Sequence, residues 1–204
     1  GGAPSRAPAT LLPQRPAAAM YSRMESRVFD LAVVGAGLNG SLLALAAGEA
    51  GLRTALIDRV PLKKLTEQAF DGRTTALSYT SQRMFEALGV WDEVEPHAEP
   101  ILDIHISDAG HDGRASKLHL HFDHREAVAP DEGAAPMGWI VENRHLRAAL
   151  LQRLAACPSV ELIAPDEVMK TTRDPHRAQI ALASGRTLDT RLVASAEEIG
   201  RAHV

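Results

Sequence analysis

Three glycines, Gly35, Gly37 and Gly40, and an acid, Asp58, stand at a spacing that dictates a chemistry. The run Gly35-Ala36-Gly37-Leu38-Asn39-Gly40 has the G-x-G-x-x-G form of a phosphate-binding turn. Each glycine has a separate task. Gly35 permits a tight turn, Gly37 leaves the backbone bare for a phosphate, and Gly40 lets a helix lie close to its strand. A helix beginning at Leu38 would present unpaired N–H groups and a partial positive charge, both of which a pyrophosphate satisfies. Leu38 and Asn39 are therefore binding candidates through their backbones. Asp58, about twenty residues on, is suited to accept hydrogen bonds from ribose hydroxyls. The pattern indicates a dinucleotide without separating FAD from NAD.

The elements needed to position these residues can be read around them. Phe29 to Val34 is a short apolar run, broken only by Asp30, and reads as a buried parallel strand. Leu38 to Ala50 reads as a helix, with Leu42, Leu43, Leu45 and Ala46 as its packing side and Gly51 as its stop. Thr54 to Ile57 is the second strand, closing at Asp58. Together they make a βαβ unit of the size the fingerprint requires. Arg59 to Ser78 is polar and reads as irregular. A helix follows near Ser81 to Leu88, with Thr80 as its N-cap and Gly89 as its stop. Ile101 to Ser107 reads as a strand. Leu118, Leu120 and Phe122 alternate with Lys117, His119 and His121, the signature of a half-buried strand. Beyond a loop at Gly133–Pro136, Trp139 to Val141 is a short strand. Arg144 to Ala156 is an amphipathic helix with Leu146, Ala149, Leu150 and Leu154 inward. Strands at 160–164, 168–172, 179–183 and 188–194 complete the chain. The fold class is α/β: a Rossmann-like domain over residues 25–197, interrupted by a β-rich insertion at about 59–137.

Composition bounds the partners. The chain is 45% hydrophobic, enough for a core, and 24% charged. Its formal net charge of -4 gives no sign of nucleic-acid binding. A single cysteine, Cys157, rules out a disulfide framework within the chain and reads as a small packing residue. No apolar run is long enough to span a bilayer, so membrane contact would be peripheral. Nine histidines invite a metal reading, with His119 and His121 sharing one strand face. Two ligands fall short of the four that a closed structural zinc site needs, and no metal site is assigned from the sequence. Trp91 and Trp139 read as packing residues. No Ser/His/Asp triad is visible, and no catalytic residue is assigned.

Three segments taken together carry a family resemblance: the glycine turn, Asp71-Gly72-Arg73-Thr74-Thr75-Ala76-Leu77-Ser78, and Val141-Glu142-Asn143-Arg144-His145-Leu146. Over about Val28 to Glu197 the chain resembles the class A flavoprotein aromatic hydroxylases, and within them the UbiH/UbiF-type ubiquinone-biosynthesis monooxygenases. The resemblance implies FAD as cofactor and NAD(P)H as transient reductant. It implies hydroxylation of an aromatic, polyprenylated ubiquinone precursor with dioxygen. Arg73 then corresponds to the arginine that reaches the flavin's phosphate and ribityl region, a natural bidentate donor to pyrophosphate. An ion pair with Asp71 is its other reading. Asn143 corresponds to the family's polar cofactor contact at a strand-to-helix turn, besides being an apt N-cap for the helix that follows. Arg144 is the neighbouring candidate. The implied setting is the bacterial cytoplasm, with peripheral association with the inner membrane or with a ubiquinone-synthesis complex. Other flavoproteins of the fold, a halogenase or a prenyl reductase, and a nucleotide-binding module without redox chemistry remain alternatives.

The ends read differently from the middle. Gly1 to Met24 contains no acid and is rich in Ala, Pro and Arg. It is expected to be a disordered extension upstream of a start at Met20 or Met24, with an organelle transit peptide as the other reading. Glu198 to Val204 resembles the translation of a short-read sequencing adapter. Leu192 to Glu197 resembles the approach to the family's second motif, with Glu197 where Asp is usual and Glu198 where glycine is expected. The natural protein is thus expected to continue differently beyond Glu197, and this chain is expected to be an inactive N-terminal fragment.

Overall fold

The computed structural model describes residues 28–66, 70–109, 115–126 and 135–196. The expectations for residues 1–24, for Glu197 and for the tail at 198–204 lie outside these residues.

The chain opens with β1 (Val28–Val34), α1 (Leu38–Glu49) and β2 (Thr54–Ile57). β2 is buried at every position, as a strand covered on both faces should be. After α2 (Leu62–Thr66) come β3 (Thr74–Ser78), α3 (Tyr79–Ala87), α4 (Trp91–Val94), a 3-10 turn at Glu95–His97, and β4 (Ala98–Ile101). Next are β5 (Asp103–Ala109), β6 (Ala115–Asp123), β7 (Gly138–Glu142) and α5 (Asn143–Ala155). The last four strands are β8 (Val160–Ile163), β9 (Val168–Arg173), β10 (Ala178–Leu182) and β11 (Thr187–Ser195).

The main sheet runs β8-β2-β1-β11-β10-β9. β8, β2, β1 and β11 are mutually parallel, and β10 and β9 extend the edge antiparallel. This is the Rossmann-like α/β architecture read from the sequence, with strands of the insertion forming two further sheets, β3-β7-β4, whose central β7 follows the insertion, and β5-β6. Alternation along β2 divides the core. Leu56 joins Val33, Leu45, Leu146, Leu150 and Leu154 in the cluster under α1 and α5. Ala55 and Ile57 turn to the opposite face, with Ala32, Ile163, Ile180 and Leu188. Trp91 and Trp139 meet edge to face in the first cluster, with ring centroids 5.3 Å apart. Cys157 is buried there too. Among the described residues no helix is long and apolar enough to cross a membrane.

Four local expectations are corrected. The packing side of α1 is not leucine-rich: Ala44, Leu45, Ala47 and Gly48 are buried, while Leu43 is exposed. Small residues win because α1 lies close on its neighbours. A Cβ on Gly48 would sit 2.5 Å from Val160 Cγ2. The stretch 59–78 is not irregular throughout, since it holds α2 and β3. Thr80 is not the cap of α3. Ser78 is, its Oγ accepting from the Ser81 N–H at 3.1 Å. Finally, the described part of β6 does not bury its apolar side chains. Leu120 and Phe122 are 61% and 48% exposed, because among the described residues β5 and β6 pair only with each other and no second layer covers these two side chains.

Candidate cofactor site

β1 delivers the chain to Gly35, whose N–H donates to the Ile57 carbonyl at 2.8 Å. Gly35 has φ 103°, a left-handed conformation that strains any side-chain-bearing residue. Gly40 is pressed so close that a Cβ there would overlap the Gly35 carbonyl oxygen. Gly37 is the contrast. Nothing lies within 4 Å of where its Cβ would be, so the space over its backbone is open. Gly37 is also the N-cap of α1, and its helix has no side-chain cap and no acid in the first turn. The first N–H groups of α1 thus point out without an anionic side chain of their own to serve them, the condition for an anion site.

Asp58 braces this turn. Its Oδ2 accepts from the Ala36 N–H at 2.6 Å and its Oδ1 from the Val60 N–H at 2.7 Å. Both oxygens are thus engaged by backbone, with lone pairs remaining for a further donor. Gly35 and Gly40 are the frame behind the site rather than its lining, and Asp58 braces the turn next to Gly37 with lone pairs left over.

The lining comes from two parts of the fold. A cleft of about 440 Å³ opens between the α1 N-terminus and the β3–β7 sheet. Gly37, Leu38 and Asn39 form one wall, and Arg73, Thr75, Ser81, Asn143 and Arg147 contribute its polar groups opposite. β3 pairs antiparallel with β7, matching Thr75 to Val141 and Thr74 to Glu142. That register carries Arg73 to the start of α5, where the Asn143 N–H donates to the Arg73 carbonyl at 3.1 Å. The Thr75 hydroxyl donates to Asn143 Oδ1 at 2.6 Å. Asn143 is therefore not the side-chain cap of α5. Glu142 occupies the cap position without a side-chain bond, and the Asn143 amide keeps two N–H donors at the cleft.

The two expected arginines part company. Arg73 lines the cleft and also pairs with Asp71, its Nε donating to Oδ2 at 2.8 Å. That hydrogen bond holds the Asp71 carboxyl below its ordinary range. Arg144 does not line the cleft. Its Nε donates to Glu142 Oε2 at 2.6 Å, and its guanidinium lies over the Phe70 ring. Arg147, one turn further along α5, takes the place expected of it: buried and lining the cleft. The sequence reading missed Arg147, along with Thr75 and Ser81. The available signal was its i+4 spacing from Asn143, which puts both on one helix face. His145 stacks on His97, with centroids 3.8 Å apart. Burial, and then the neighbouring His97 and Arg144, push its pKa down.

A second, shallower concavity of about 220 Å³ lies among Thr172, Arg173, Asp174, Arg177 and Gln179 on the β9–β10 edge. It has neither a helix N-terminus nor a glycine turn beside it.

These features suit a dinucleotide: a turn left bare at Gly37, unserved helix N–H groups, and an arginine and an amide facing them across the cleft. The family model described as FAD binding domain matches residues 28–197. The chain belongs to the FAD-binding domain family. FAD is the cofactor that family's domain takes, and the residues present fit it. The chain is 37% identical over 171 residues to ubiquinone hydroxylase UbiL of Rhodospirillum rubrum, covering 84% of this chain and 37% of that one. It is 31% identical to ubiquinone hydroxylase UbiM of Neisseria meningitidis, covering 82% of this chain and 35% of that one. The fold superposes on a mutant form of PqsL from Pseudomonas aeruginosa with a TM-score of 0.66 at 22% identity, covering 85% of this chain and 44% of that one. This chain thus spans less than half the length of the relatives it matches.

Proposed function

We propose that this chain forms the ADP-binding side of the FAD site in a monooxygenase that hydroxylates an aromatic ubiquinone precursor with O2 and NAD(P)H. One observation carries the reading: the bare glycine turn and the Arg73–Asn143 pair face each other across one cleft. The similarity to ubiquinone hydroxylases UbiL and UbiM supports the choice of substrate class. When bound, the flavin supplies the redox and oxygen-transfer chemistry. The protein's own residues bind and orient. The α1 N–H groups and the Gly37 backbone hold the pyrophosphate. Arg73 adds a cationic donor to it, and Asn143, fixed by Thr75, donates from its amide. Asp58 holds the turn in shape and offers its remaining lone pairs to the ribose. Arg147 counters the phosphate charge from within the cleft wall. Arg144 serves the site indirectly, by its pairing with Glu142 at the start of α5.

The substrate is taken to be aromatic and polyprenylated, which agrees with an enzyme working in the cytoplasm at the face of a membrane. The 204-residue chain spans less than half the length of the ubiquinone hydroxylases it matches, and by itself it is expected to show no substrate-stimulated, NAD(P)H-dependent oxygen uptake. Deleting the gene in its host tests the reading. The expected result is loss of ubiquinone with accumulation of a polyprenylated aromatic precursor one hydroxyl short. Normal ubiquinone with a missing halogenated product or a persisting unsaturated prenyl chain would contradict it.

A further inference from the structure

The β5–β6 ribbon brings together side chains that lie far apart in sequence. In an antiparallel pair, directly opposed residues share a face, as do alternate residues along each strand. The register sets His105 opposite His121, Ser107 opposite His119, and Asp103 opposite Asp123. Asp103, His105, His119 and His121 therefore all rise from one face. The His105 and His121 rings lie 4.1 Å apart by centroid, and those of His105 and His119 6.3 Å. His121 Nε2 is 2.9 Å from Asp103 Oδ1. One ligand atom from each of Asp103, His105 and His121 can be chosen so that all three lie within 4.8 Å of one another. All three side chains are exposed. Asp123, across from Asp103, is already committed to Arg125, whose hydrogen bonds hold its carboxyl well below the usual range.

We propose that this face is a binding site for a borderline divalent transition metal such as Zn2+ or Cu2+, held by His105, His121 and Asp103 with His119 alongside. Two imidazoles and a carboxylate are the donors such ions take, whereas Ca2+ and Mg2+ require oxygen ligands throughout. χ2 is a broad torsion in histidine, so the two rings can turn their nitrogens toward a shared ion. The metal would act as a clasp. A two-stranded ribbon is marginal by itself, and a bond from His105 on β5 to His121 on β6 ties the strands at a matched register. His119 and His121 alone supply two ligands from one strand. The pairing with β5 supplies the others, so the site arises from register rather than from a sequence motif.

The test is calorimetric titration of the 204-residue chain with ZnCl2 and with CuCl2, alongside hydrogen exchange of the ribbon amides. One equivalent of Zn2+ is expected to bind and to slow exchange in β5 and β6. His105→Ala and His121→Ala should each weaken binding tenfold or more, Asp103→Asn less, and His176→Ala on a remote turn not at all. In the unaltered protein, substoichiometric Cu2+ should broaden the imidazole resonances of His105 and His121 first, a readout that depends on no variant. Broadening elsewhere first, affinity unchanged in His105→Ala and His121→Ala, or no saturable binding at all would overturn the proposal.

Discussion

The main sheet and the β5–β6 ribbon both carry rows of large apolar side chains, near-continuous in β1 and β2 and alternating with polar residues in β5 and β6, yet one is dry and the other wet. In β1 and β2, Ala32, Val33, Ala55, Leu56 and Ile57 are at most 1% exposed. In the ribbon, Ile104, Ile106, Leu120 and Phe122 are all exposed. The difference lies in what surrounds them. The sheet has α1 and α5 on one face and a second apolar cluster on the other, whereas among the described residues the ribbon pairs only with itself. Burial is a property of layers, and a strand pattern alone does not say whether a second layer exists.

That contrast gives the largest expected effect. Leu56→Ala should cost about 3 kcal/mol of stability, since it opens a cavity in a packed core. Leu120→Ala in the ribbon should stay within about 0.5 kcal/mol. Urea denaturation of the two variants checks this, and equal costs would erase the distinction between the regions.

Within the glycine turn the same logic separates stability from binding. Gly40→Ala drives a Cβ into the Gly35 carbonyl and should cost about 2 kcal/mol. Gly37→Ala meets open space at φ -67°, and should cost less than about 1 kcal/mol. It should nevertheless weaken FAD or ADP binding about tenfold, equivalent to about 1.4 kcal/mol, because the methyl group stands where the phosphate must approach. Thermal unfolding and ligand titration on the same two proteins distinguish the roles. Loss of stability in Gly37→Ala would mean that its backbone is less open than the structure has it.

Much of this frame was legible in the sequence. The βαβ unit and the backbone tasks of Gly35, Gly37 and Gly40 could be read because the motif is local; Asp58 was read as a ribose acceptor, and its bracing of the turn through the Ala36 and Val60 N–H groups was not. What was missed depends on distant pairing. β3 has its partner in β7, and Thr75 meets Asn143 only through that register. The burial of Arg147 follows from α5 being packed on several sides, against α1, α2 and α4, and a helix enclosed in this way shows no clean polar face. The exposed apolar ribbon deceived a two-residue period for the same reason: alternation predicts a face, and tertiary structure decides whether anything covers it.

Two smaller effects sharpen the account at the cleft. Arg73→Ala should leave stability within about 0.5 kcal/mol, as expected of an exposed side chain. It should lower FAD or ADP affinity about tenfold, within the usual worth of a charged hydrogen bond. An unchanged affinity would assign Arg73 to its Asp71 pair alone. His145 gives the pH dependence. Its folded pKa is lowered from 6.5, so the unfolded chain binds its proton more readily and stability is lost as pH falls below about 6.5. The urea midpoint should therefore fall between pH 7.5 and pH 5.5, and fall less in His145→Gln. An identical pH dependence in the variant would remove His145 from the explanation.

The central claim is that the α1 N-terminus and the Arg73–Asn143 side form one binding cleft. Backbone amide NMR of the 204-residue chain during titration with ADP, to millimolar concentrations, tests it most directly and does not require tight binding. The account predicts saturable shifts at Gly37, Leu38, Asn39, Arg73, Thr75 and Asn143, abolished or weakened by Gly37→Ala. Shifts confined to the β9–β10 edge or the β5–β6 ribbon, or none at either wall of the cleft, would contradict it.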